Sequence, residues 1–183
     1  CEDMDHLEQV QSTLHPGCWV LPFFRVQAFL SMQQNGRAID ECHRIRRALP
    51  REHRDLVLSL ALAQYHQRNF DEASTLFSRL RSLDPNALEG MDVFSNVLFV
   101  REERAELSML AHRAVSLDKY RAESCFVVGN YYSAKGNHEK ALAYFRRALT
   151  LNPEYLSAWT LMGHEYLELR NTHAAVEAYR RAA

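Results

Sequence analysis

The sequence predicts an all-α fold, a right-handed superhelical solenoid of helix-turn-helix repeats 34 residues long. Three observations carry that expectation. Segments beginning at Arg54, Leu88, Ala122 and Leu156 recur in register every 34 residues. Within them, small and large apolar residues return at fixed places. Pro85 and Pro153 fall at the same place in two of the segments, where each would stop a second helix. A helical hairpin of this size cannot bury its apolar face alone, so it stacks on its neighbours.

The register is explicit in the third and fourth segments. Cys125, Val128, Gly129 and Tyr132, then Ala141, Phe145 and Ala148, are answered by Trp159, Met162, Gly163 and Tyr166, then Ala175, Tyr179 and Ala182. This is the W-x2-L-G-x2-Y…A-x3-F pattern of the tetratricopeptide repeat. Gly129 and Gly163 are small because the second helix of each hairpin presses on the first there, and Ala141 and Ala175 answer from the other side. Trp159, Tyr166, Phe145 and Tyr179 fill the space between hairpins. The segment at Arg54 fits in its second half, through Ala73, Phe77, Leu80 and Pro85. The segment at Leu88 is looser, with Phe94, Ser95, Leu98, Leu107, Ala111 and Ala114, and Lys119 stands where the proline is expected. Proline lacks an N–H and biases the residue before it away from helix, so Pro85 after Asp84 and Pro153 after Asn152 end their helices.

The organisation expected is therefore 54–87, a degenerate repeat over 88–121, 122–155, and a truncated repeat over 156–183. Ahead of them, residues 17–53 read as an irregular hairpin. Val26, Phe29 and Leu30 suggest one helix, Asn35-Gly36 a turn, and Ala38, Ile39, Cys42, Ile45 and Leu49 a second helix ended by Pro50. In residues 1–16, Leu7, Val10 and Leu14 share a helical face before Pro16-Gly17. That segment is a linker or the end of a preceding repeat. The chain opens on Cys1 and stops before its last helix would finish, which reads as an internal piece of a longer protein.

Composition narrows the function. Hydrophobic residues are 47% and charged residues 25%, as in ordinary globular chains. A net charge of −1 argues against a broad nucleic-acid surface. The most apolar stretch, Leu56 to Ala63, is far shorter than the roughly 20 residues that span a bilayer. Neither nucleic acid nor membrane is expected as a partner. Cys1, Cys18, Cys42 and Cys125 form no C-x-x-C pair and read as reduced, mostly buried thiols of an intracellular protein. His164 and Glu168 stand four apart on one helix, but a solvated or hydrogen-bonded pair is preferred to a ligand set, and no metal or cofactor is expected. No G-x-S-x-G, phosphate-cradling loop or activated nucleophile suggests an enzyme.

The groove is then the functional surface. In tetratricopeptide proteins the first helix of each hairpin lines the concave face through its second, fifth, ninth, twelfth and thirteenth positions. Here those places include Asp55, Glu89, Asp92, Glu123 and Glu168, with Asn96 and Asn130 at the ninth position of successive repeats, Phe126 at a fifth and His164 at another ninth. None is lysine or arginine. Such a groove favours a basic or extended peptide. Three acidic residues read as first-turn residues, Asp55, Glu89 and Glu123, which the helix dipole favours in any case by about 0.3–1 kcal/mol. The asparagines either contact a bound backbone or hydrogen-bond to a neighbouring helix; both readings stand. The groove candidates are Asp92, Asn96, Glu123, Asn130 and His164.

The departures from consensus carry a sharper signal. FSN at 94–96, ELSMLAH at 106–112, LDKYRAE at 117–123 without proline, GNYYS at 129–133 and WTLMGHEY at 159–166 closely resemble the anaphase-promoting complex subunit 8, or cell-division-cycle 23, family. The likeness is close over residues 88–183 and fair over 54–87. It implies a non-catalytic scaffold in a ubiquitin ligase of mitosis and the cell cycle, located in nucleus and cytoplasm. Implied partners are the other subunits of the complex, a coactivator offering an arginine-containing C-box peptide, and a second copy of the full-length protein. Two alternatives are an unrelated adaptor for a basic or extended peptide and a repeat region fused to an enzyme.

Overall fold

A computed structural model describes residues 20–49 and 52–182. The readings of Leu7, Val10 and Leu14, of Pro16-Gly17, Cys1 and Cys18, and of Pro50 lie outside the described residues. Every regular element among the described residues is an α-helix. They are α1 (Val20–Ser31), α2 (Asn35–Ala48), α3 (Arg54–His66), α4 (Phe70–Leu83), α5 (Met91–Val100), α6 (Arg104–Leu117), α7 (Ala122–Ala134), α8 (His138–Leu151), α9 (Leu156–Glu168) and α10 (Thr172–Ala182). Among the described residues no helix is long and apolar enough to cross a membrane. The chain forms two compact units, one ending at Leu83 and one beginning at Asp84.

In the first unit, α1 packs on α2 and α3 on α4, and α2 packs on α3. Val26, Cys42, Ile45, Leu56 and Leu60 form its core, with Phe23, Ile39 and Leu76 against them. Ala73, fully buried, and Phe77 take their expected packing places on α4. The turn between α1 and α2 is not at Asn35-Gly36, which begin α2. It lies at Gln33, whose φ is 56°, and Gln34 N–H closes it on Phe29 C=O at 2.9 Å. Leu49 ends α2 in extended backbone, ψ 133°, as a residue preceding proline must.

In the second unit, α5–α6, α7–α8 and α9–α10 form three hairpins stacked in order. Phe126, Ala141, Phe145, Ala148, Ala158 and Met162 centre the core, with Tyr132, Trp159 and Tyr166 packed on it. The predicted helix–helix approaches hold. A methyl group at Gly129 would overlap the Phe145 ring, and one at Gly163 would lie 2.6 Å from a Tyr179 ring carbon. Ala175 is fully buried opposite, and the Trp159 indole N–H donates to Pro153 C=O at 3.0 Å.

One expected boundary moves. The helix placed at Leu88 starts at Met91, because Gly90 sits at φ 75°, outside helical geometry. Glu89 therefore precedes α5, and Asp92 is the first-turn carboxylate instead. Asp84, Asp118 and Asn152, spaced by one repeat, accept at 2.8–3.1 Å from the backbone N–H two residues on. That side-chain turn does the work of the missing proline at Lys119.

Candidate peptide-binding face

Asp92, Asn96, Glu123 and Asn130 come from α5 and α7, and the fold joins the first, second and fourth into one network. Asn130 is 2% exposed. Its amide donates to Ser95 Oγ at 2.7 Å and to Asn96 Oδ1 at 2.8 Å. Ser95 in turn donates to Asp92 C=O at 2.6 Å. Of the two readings left open for the asparagines, the structure shows the hydrogen bond between neighbouring helices. Asn130 is not itself a groove surface: it is a buried clamp that aims the half-buried Asn96. Phe126, placed in the groove by its position, is fully buried against Phe145 with ring centroids 5.7 Å apart, because Tyr155 covers it.

Tyr155 was not legible as a site residue. It stacks on Phe126 at 5.0 Å and donates its hydroxyl to Asp92 Oδ2 at 2.7 Å. Burial, reinforced by the Asp92 carboxylate, pushes its phenol far above the ordinary range, so it stays a donor at all working pH. Asp92 thus stands at the edge of the face with one carboxylate oxygen engaged. Glu123, in the first turn of α7, lies 3.3 Å from Arg121 Nε and adds to the negative field at Tyr155. His164 is not drawn into this group: its Nδ1 pairs with Tyr179 Oη at 3.0 Å.

A second polar knot sits one repeat further on. Glu165, 4% exposed, takes a hydrogen bond from Ser133 Oγ at 2.6 Å and meets His138 Nδ1 at 2.8 Å. It ties α9 to α7 and to the start of α8. The signal for the first knot was Ser95 itself. It occupies the place held by glycine at 129 and 163, where a small polar residue has room to bond across helices. Among the described residues no group of three or more His, Cys, Asp or Glu is placed to hold a metal. The face as built offers carboxylate and amide groups fixed on rigid helices, suited to the guanidinium and backbone amides of an extended peptide.

Tetratricopeptide repeat family models match residues 25–87, 122–155 and 156–183. Anaphase-promoting complex subunit 8 of Dictyostelium discoideum is 45% identical over 160 residues, 87% of this chain and 27% of that protein. Subunit 8 of Arabidopsis thaliana is 59% identical over 114 residues, 62% of this chain and 20% of that protein. The chain belongs to the subunit 8 family of tetratricopeptide-repeat proteins. The chain spans 27% and 20% of the length of these two relatives. The chain also shares its fold with a crystal structure of the anaphase-promoting complex hetero-tetramer Cut9-Hcn1. The TM-score is 0.75 at 20% identity, covering 91% of this chain and 33% of that one.

Proposed function

We propose that the chain is part of a non-catalytic scaffold in the anaphase-promoting ubiquitin ligase, holding other subunits in place and acting in nucleus and cytoplasm. The identity of 59% to a protein named for that complex carries the reading. Affinity purification of the tagged full-length protein tests it: other subunits of the ligase are expected in the eluate, and a clean eluate lacking them overturns the assignment. Self-association of the full-length protein is part of the same reading and is read by light scattering.

The finer proposal concerns the face on α5 and α7. Asp92, Asn96 and Glu123 receive a basic peptide, the arginine-containing C-box of a coactivator. Support comes from the Asp92 carboxylate one turn from the Asn96 amide that Asn130 holds in place, with the Glu123 carboxylate in the first turn of α7. Fluorescence anisotropy with a C-box peptide is expected to show weaker binding for Asp92→Asn combined with Glu123→Gln, which keep shape and remove charge. Unchanged affinity would place the peptide elsewhere.

A further inference from the structure

The loop end of the α7–α8 hairpin carries a surface of opposite character. The chain has 22 basic residues, and its lysines are Lys119, Lys135 and Lys140. Each ammonium lies over a tyrosine: Lys119 is 5.0 Å from the Tyr120 centroid, Lys135 4.5 Å from Tyr131 and Lys140 5.3 Å from Tyr132. The last two pairs are contiguous. The rings of Tyr131 and Tyr132 are 5.3 Å apart, and Tyr132 stacks on Tyr144 at 5.5 Å and 17°. His112 of α6 lies 6.3 Å from Tyr131. The rings are half-buried and both lysines are exposed.

Among the described residues neither Lys135 nor Lys140 forms an ion pair, and Glu139, exposed beside Lys140, pairs with neither. Hydrogen bonds from Lys135 and then Ser108 hold the Tyr131 phenol below its ordinary value. An exposed cation–π contact is worth only about 0.5–1 kcal/mol, so an incoming carboxylate can draw either ammonium off its ring. The uncovered ring faces then offer rigid apolar area of the kind that dominates interfaces.

We propose that Lys135 and Lys140, with Tyr131, Tyr132 and Tyr144, dock an acidic segment of another subunit of the ligase. The proposal rests on membership of that complex. An acidic protein segment fits better than nucleic acid, because a phosphate backbone calls for a denser row of cations than this pair on a chain of net charge −1.

Carbodiimide coupling of the assembled ligase, containing the full-length chain, tests this directly. The reagent joins an amine to a carboxylate with net loss of water, so it records only pairs already in contact. Amide links from Lys135 or Lys140 to Asp or Glu of another subunit are expected. In the charge-reversed variant, Lys135→Glu with Lys140→Glu, recovery of that subunit should fall several-fold while the helical circular dichroism signal is unchanged. An assembled complex with no such links, or links confined to carboxylates of this chain such as Glu139, overturns the docking proposal alone. Undiminished recovery with the charge-reversed variant does the same. If instead a single-stranded oligonucleotide probe binds and the variant loses it, the occupant is nucleic acid and the proposal is wrong. Failure of the unmodified chain to assemble at all removes the membership reading, and the docking proposal with it.

Discussion

Asn130 donates both of its amide hydrogens inside the fold, to Ser95 and Asn96. Replacing it by leucine removes the donors and strands both acceptors next to an apolar side chain. Buried polar groups left unsatisfied cost about 1–3 kcal/mol, and Asn130→Leu should lower stability by that order in chemical denaturation. A cost under a few tenths of a kcal/mol would show the network to be incidental. The sequence made the packing residues legible and this network only partly so. Gly129 and Gly163 announce themselves because a close approach admits nothing larger than hydrogen. Asn130 is polar at a place the repeat turns outward, so pattern alone reads it as exposed. What engages it is Ser95 and Asn96 of the neighbouring α5, while Tyr155, arriving from the loop after α8, covers Phe126 one turn before it in α7.

At the scale of the element, the turn inside each hairpin is the most regular feature. Gln33, Arg68, Glu102, Gly136 and Arg170 all stand at φ between 56° and 71°. The residue after each donates back to a carbonyl five residues earlier, as Asn69 to Gln64, Glu103 to Leu98, Asn137 to Tyr132 and Asn171 to Tyr166 at 2.8–3.0 Å. This is the Schellman closure, which glycine suits best. Composition flags only Gly136; the other four carry no turn propensity, and Asn35-Gly36 draws the eye to the wrong place. Their geometry is imposed by the packing of the two helices they join. A non-glycine residue in this region costs on the order of 1 kcal/mol. Glu102→Gly and Arg170→Gly should each stabilise the protein by about that amount, less the greater freedom glycine gives the unfolded chain. A higher melting temperature for each variant is the expected reading; a drop would mean that the side chains contribute more than their strain.

Over the whole molecule, the repeat period determines most of what is legible, and the ionisable groups buried by packing are what it leaves out. Cys42, at the core of the first unit, has its thiol pushed from 9.0 up to about 12 by burial and then by the Glu41 carboxylate. Tyr155 is shifted in the same direction. Between pH 9 and about 12 the unfolded chain therefore gives up a proton at Cys42 that the folded chain keeps. Stability from this source is complete below pH 9 and declines as pH rises through that window. Urea unfolding across the window should show a shallower decline for Cys42→Ala than for the unaltered protein, whatever its offset at neutral pH. Parallel curves would mean that the thiol titrates freely in the fold. From the sequence, Cys42 read only as a reduced, buried residue, since the carboxylate beside it becomes a neighbour in effect only when α2 turns both toward the interior.

Tyr155 and Asp92 are 63 residues apart, and their bond runs from the start of α5 to the far end of the α7–α8 hairpin. A chain of repeats coupled only through faces that touch would be free to open from an end, one hairpin at a time. This bond, laid over Phe126, fastens α5 to the span that lies beyond α8. Fraying at that place has to break the stack of Tyr155 on Phe126 and expose the Asp92 pair together. The expected consequence is cooperativity: hydrogen exchange should show α5, α7 and α8 opening as one block, larger than the repeat that the sequence counts in.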